Sequence, residues 1–132
     1  MIVCQLGQAR GGELGMGITY IEGKVRGPTG REEGVRFLVD SGATYTLLPK
    51  RVWEKIELKP VREHVFVLAD GSEVRRKVSE CYIMLPQGEA HTPVVLGEKE
   101  DEALLGVVTL GILGLVFDPF RRELRPMRML LV

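Results

Sequence analysis

The chain has 132 residues, 45% of them hydrophobic, so it is expected to form one domain over residues 1–132 and to bury roughly two-thirds of its unfolded surface without staples. With 18 basic against 18 acidic side chains, no global field recruits nucleic acid or an anionic membrane, and the longest uncharged apolar run, residues 103–117, falls short of the roughly 18–20 residues that span a bilayer. Cys4, Cys81, His64 and His91 lack zinc-ligand spacing, so no metal and no cofactor is expected, and the absence of a cationic apolar leader reads as cytoplasmic.

In chain order, residues 1–15 are read as an N-terminal strand followed by a flexible glycine-containing connector. No Lys-Ser/Thr or helix start follows those glycines, so they do not cradle phosphate. Residues 18–25 and 35–39 are β-rich and joined by the turn Gly27-Pro28-Thr29-Gly30. The second strand ends in Phe37-Leu38-Val39-Asp40-Ser41-Gly42-Ala43-Thr44, which delivers one carboxylate into a tight turn of small, hydroxylated residues and occurs once. Residues 49–56 space Val52, Trp53 and Ile56 as a turn or two of amphipathic helix behind Pro49.

Residues 61–68 and 74–85 are the arms of a long hairpin around Ala69-Asp70-Gly71-Ser72, where Asp-Gly between β-rich segments is a strong hairpin signal. Pro86-Gln87-Gly88-Glu89 turns, and residues 93–96 form a further strand. The apolar segment from Ala103 through Leu104-Leu105-Gly106 to Gly114 is expected to form a helix ended by Gly114, followed by a strand over residues 115–117 that Asp118-Pro119 stops. Residues 1–6 and 127–132 are apolar runs that would be adhesive edges if left exposed. Arg75-Arg76-Lys77 and Arg121, Arg122, Arg125 and Arg128 lack the aromatic interleaving of a nucleic-acid platform and are read as solvated strand faces. The chain contains no asparagine, few glutamines and 27% charged residues, a composition of heat-adapted proteins. Left-handed backbone positions therefore fall to its 16 glycines or to Asp.

Apolar-apolar-Asp-Ser-Gly-Ala-Thr resembles the active-site loop of the retroviral-type (retropepsin-like) aspartic proteases. Leu104-Leu105-Gly106 with the following short helix resembles a second motif of that family, and the Asp70-Gly71 hairpin stands where the family has its flap. The resemblance runs from about residue 35 to residue 124. It implies an all-β fold, a closed acid-protease barrel with one short C-terminal helix, and a homodimer acting on a peptide or protein substrate. Asp40 would be catalytic, Ser41, Gly42, Ala43 and Thr44 would support the loop, and Ala69 to Ser72 would form the flap. Leu104, Leu105 and Gly106 would pack on the loop. One carboxylate per chain is half of a two-carboxylate site, so the second would come from a partner.

The chain departs from the retroviral pattern at Ser41, where Thr is usual, at Thr44, where an acidic residue is frequent, and at Val107, where a basic residue is frequent. The losses at Thr44 and Val107 are compatible with each other and point to a cellular or microbial branch. Two other readings stay open on the same residues. One is a catalytically silent homodimer that keeps its cleft as a peptide-binding module. The other is a non-peptidase β-barrel that binds a small ligand and uses Asp40 structurally. The terminal runs would suit a sheet shared between subunits, or could pair within one subunit.

Overall fold

Alternation along the strands divides the apolar residues between two cores. The computed structural model describes residues 18–131, and among these it has nine strands and two six-residue helices. In order they are β1 (Tyr20–Arg26), β2 (Glu32–Val39), β3 (Thr46–Leu48), α1 (Lys50–Lys55), β4 (Arg62–Val67), β5 (Glu73–Leu85), β6 (Gly88–Leu96), β7 (Leu104–Leu105), α2 (Val107–Ile112), β8 (Leu115–Asp118) and β9 (Glu123–Pro126). Neighbouring residues of one strand point to opposite faces, so Phe37 and Val39, Leu48, Val94 and Leu105 enter the main core. Their neighbours Leu38, Leu47, Val95 and Leu104 enter a second cluster with Ala43. Strands buried on both faces read as continuous apolar runs, which is how these segments look in the sequence.

Seven strands form one sheet in the order β1-β2-β7-β3-β6-β5-β4, and a further pairing of β1 with β5 closes it into a ring. Closure is possible because β5 is 13 residues long. Along one edge it pairs with β6; along the other, β4 takes residues 73–78 and β1 takes residues 82–84. The remaining pair, β8 and β9, makes a two-stranded sheet. The architecture is thus the mostly β closed barrel expected, with α1 before the β4–β5 hairpin in addition to the C-terminal helix.

Both helices are set by their first residues. Pro49 is the extended N-cap of α1, which buries Val52 in the main core beside its C-cap Ile56, and the Trp53 indole N–H donates to the Gly97 carbonyl at 2.8 Å. Gly106 is the extended N-cap of α2. The helix therefore starts at Val107 rather than Ala103, because Leu104 and Leu105 are taken into the sheet as β7, parallel to the end of β2. Strand β6 starts at Gly88, five residues ahead of Pro93, which is accommodated one position before the β3 ladder begins at Val94.

Left-handed positions differ from expectation. Among the described residues Gly30, Gly71 and Gly114 fill three, but the non-glycine ones are Glu57 and Arg122, not Asp. Glu57 follows the last turn of α1, and its carboxylate is held there by the Thr29 hydroxyl at 2.5 Å. The expected strand and connector over residues 1–15 lie outside the described residues.

Candidate active site

Asp40 is the first residue past β2 and is 1% exposed. The parallel pairing of β2 with β7, Leu38 opposite Leu104 and Val39 opposite Leu105, brings it beside the second apolar motif. The Asp40 N–H donates to the Leu105 carbonyl at 3.2 Å. Within the turn, the Asp40 carbonyl accepts the Ala43 N–H at 3.0 Å, and carboxylate Oδ1 accepts the Gly42 N–H at 2.9 Å. This is the local bonding that Asp and Gly bring to turns. Here it fixes the carboxylate against its own backbone.

The far side of the turn is bound to α2. Val107 N–H donates to the Ala43 carbonyl at 2.9 Å and Val108 N–H to the Thr44 carbonyl at 3.0 Å. Gly106 makes that approach possible, since a Cβ there would stand 2.5 Å from the Tyr45 carbonyl carbon and 2.7 Å from the Thr44 oxygen. Leu104 and Leu105 are buried, Leu104 in one cluster with Ala43, and Gly106 stands against the Thr44 and Tyr45 backbone. Ala43 is buried, whereas Ser41, Gly42 and Thr44 are exposed.

A groove of about 470 Å³ opens between the loop and strand β4. Gly42, Ala43 and Thr44 line its loop side, Leu47 and Val95 its floor, and residues 64–69 the opposite wall. Of the four residues expected to form a flap, Ala69 lines the groove. Asp70, Gly71 and Ser72 form the tip beyond it, a turn closed by Gly71 N–H to the Leu68 carbonyl at 2.9 Å and Leu68 N–H to the Ser72 carbonyl at 2.8 Å. Gly71 has φ +89°, so the connection is a three-residue loop with a left-handed third residue. Asp70 accepts the Ser72 hydroxyl at 2.6 Å and its N–H at 2.9 Å; these bonds, the hydroxyl first, hold its carboxyl below the usual range.

Sequence reasoning missed the groove's aromatic wall and the polar layer beneath the loop. Tyr45, His64 and Phe66 meet with ring centroids 5.4 to 6.0 Å apart, and Arg62 donates to the Tyr45 hydroxyl at 3.3 Å. Alternation within residues 64–66 gave a hint, since His64 and Phe66 share one face of β4. Below the loop, the Gly106 N–H donates to Thr46 Oγ1 at 3.1 Å, and the buried Thr46, Thr92 and Thr109 adjoin one another. Their signal was hydroxyls within otherwise apolar strand and helix segments. Burial pushes the Cys81 thiol up to about 12, so it is no nucleophile at neutral pH. Among the described residues, no group of three or more His, Cys, Asp or Glu could hold a metal ion, and no helix is long and apolar enough to cross a membrane.

A family model described as aspartyl protease matches residues 21–117, which contain the loop, the hairpin and α2. The simian foamy virus (mac) protease superposes with a TM-score of 0.52 and is 21% identical, over 72% of this chain and 94% of that one. The prototype foamy virus protease-reverse transcriptase superposes with a TM-score of 0.54 and 14% identity, over 86% of this chain and 12% of that one. At these identities the likeness is one of fold. No curated protein matches the chain.

Proposed function

The chain belongs to the aspartyl protease family, and from that premise we propose that it is an endopeptidase in which water is activated between two Asp40 carboxylates, one from each protomer of a homodimer. Two carboxyl groups at hydrogen-bonding distance share one proton, because ionising both would set like charges side by side. The ionised partner takes a proton from the water, and the protonated one donates to the peptide carbonyl under attack. No covalent intermediate forms.

The observation that carries this reading is the single Asp40 turn, held by main-chain bonds to Leu105, Val107 and Val108, whose residues Gly42, Ala43 and Thr44 line the groove. Ser41 and Gly42 remain exposed beside a buried Asp40, which leaves that face of the turn open to a second copy. An extended peptide would lie along the groove with its side chains on Leu47, Phe66 and Val95, under the hairpin arm that carries Ala69.

The test is an unbiased peptide library mapped by mass spectrometry, with parent and Asp40→Asn proteins side by side. The parent cuts, with a bell-shaped kcat/KM profile that EDTA leaves unchanged. Asp40→Asn loses more than about a hundredfold in rate, since it cannot share the proton. Its fold is kept, because the amide oxygen still accepts the Gly42 N–H. Full cleavage by the Asn variant removes Asp40 from the mechanism. Peptide binding without cleavage by either protein selects the silent binding module.

A further inference from the structure

Thr46, Thr92 and Thr109 are contributed by β3, β6 and α2, and all three are buried. The peptide unit between Leu105 and Gly106 joins them to the site. Its carbonyl accepts the Asp40 N–H at 3.2 Å, while its N–H donates to Thr46 Oγ1 at 3.1 Å. Thr46 Oγ1 lies 2.5 Å from Thr109 Oγ1, which lies 2.8 Å from Thr92 Oγ1, and the Thr92 hydroxyl donates to the Pro93 carbonyl at 3.3 Å.

Only one proton order uses every donor in this series. A buried hydroxyl left without an acceptor loses its hydration and gains nothing in return. Gly106 must donate to Thr46, because a backbone N–H cannot accept. Thr46 then donates to Thr109, Thr109 to Thr92, and Thr92 to the Pro93 carbonyl. In the reverse order Thr109 would donate to Thr46, whose own proton would have no acceptor among these atoms. The bonds therefore run in one sense, from the Asp40 amide through a peptide plane and three hydroxyls to β6. Such aligned chains polarise one another.

We infer that Thr46, Thr109 and Thr92 are positioning residues for the catalytic loop, fixing the tilt of the Leu105–Gly106 peptide and through it the height of Asp40. The inference rests on the proteolytic reading of Asp40. The hydroxyls do not touch the groove. They act by setting where the carboxylate stands relative to its partner across the dimer, and small misplacements of reacting groups are costly to rate.

The middle hydroxyl is the place to break the chain. Thr109→Val keeps the shape and removes the donor; Thr109→Ser keeps the donor and removes a methyl. Thr109→Val is expected to lower kcat about tenfold with KM within about twofold of the parent, and Thr109→Ser to restore kcat to within about twofold. In NMR spectra the Gly106 and Asp40 amide protons should both move in the Val protein and return in the Ser protein. Parent kcat with unmoved amides in Thr109→Val overturns the inference. So does equal loss in both variants, which would assign the effect to methyl packing. If Thr109→Val does not fold, Thr92→Val breaks the last link and is read the same way; an unmoved Gly106 amide there overturns it. Should Asp40→Asn leave cleavage intact, the proteolytic reading fails on its own, while the two amide shifts still decide whether the chain exists.

Discussion

Every bond described here that holds the Asp40 turn has a backbone atom on at least one end: the Leu105 carbonyl, the Val107 and Val108 amides, and the Gly42 amide on the carboxylate. At this scale the site tolerates changes of loop side chain better than changes in the spacing between main chains. Gly106→Ala is the sharpest case. The added methyl meets the Tyr45 and Thr44 backbone, which cannot swing aside as a flexible side chain could. Overpacking of this kind costs about 1–3 kcal/mol, read as a Tm lower by several degrees. Calorimetry checks it, and an Ala variant with the parent Tm would show that the loop and α2 are less tightly apposed than described.

At the scale of elements, the β4–β5 hairpin shows how local and distant signals differ. Its tip was legible because Asp70 and Gly71 act on their own neighbours: Asp70 closes on Ser72, and Gly71 takes φ +89°. The Asp70 carboxyl is held below its ordinary 3.8, so its support of the tip is present above that value and is lost as pH falls through the lower folded one. The Ser72 amide resonance should therefore titrate with a midpoint below 3.8 and stop titrating in Asp70→Asn; a midpoint at or above the ordinary value would mean that the turn is open. Short strands were not legible in this way. Leu104 and Leu105 carry no strand signal of their own and become β7 only because β2 and β3 flank them. The same holds for the three residues of β3, and for β9, whose Glu123–Pro126 segment pairs with β8 amid charged and proline residues. The aromatic wall was hidden for the same reason, since Tyr45 meets His64 and Phe66 only after the hairpin folds over the loop.

For the whole molecule, the end of the described chain is the informative region. Met127 N–H donates to the Gly114 carbonyl at 2.7 Å, and beyond it Met129, Leu130 and Leu131 are exposed, Leu130 at 76%. A second copy pairing there would cover them, consistent with the proposed homodimer. Activity per milligram should then fall on dilution below the dimer dissociation constant, and removing residues 127–132 should raise that constant in sedimentation. A truncated chain that dimerises as tightly as the parent would take the tail out of the interface, and a fully active monomer would end the half-site argument. Ring closure has a separate consequence for how the chain reaches this state. The hairpins β1–β2 and β5–β6 join residues near in sequence, whereas the β1–β5 seam must bring residues 24–26 to residues 82–84. Such distant pairing carries a loop-closure entropy cost before it is rewarded, so the chain should fold on the slow millisecond-to-second scale of high-contact-order barrels. During that interval the seam edges of β1 and β5 stand open to other chains, and refolding yield should fall as protein concentration rises.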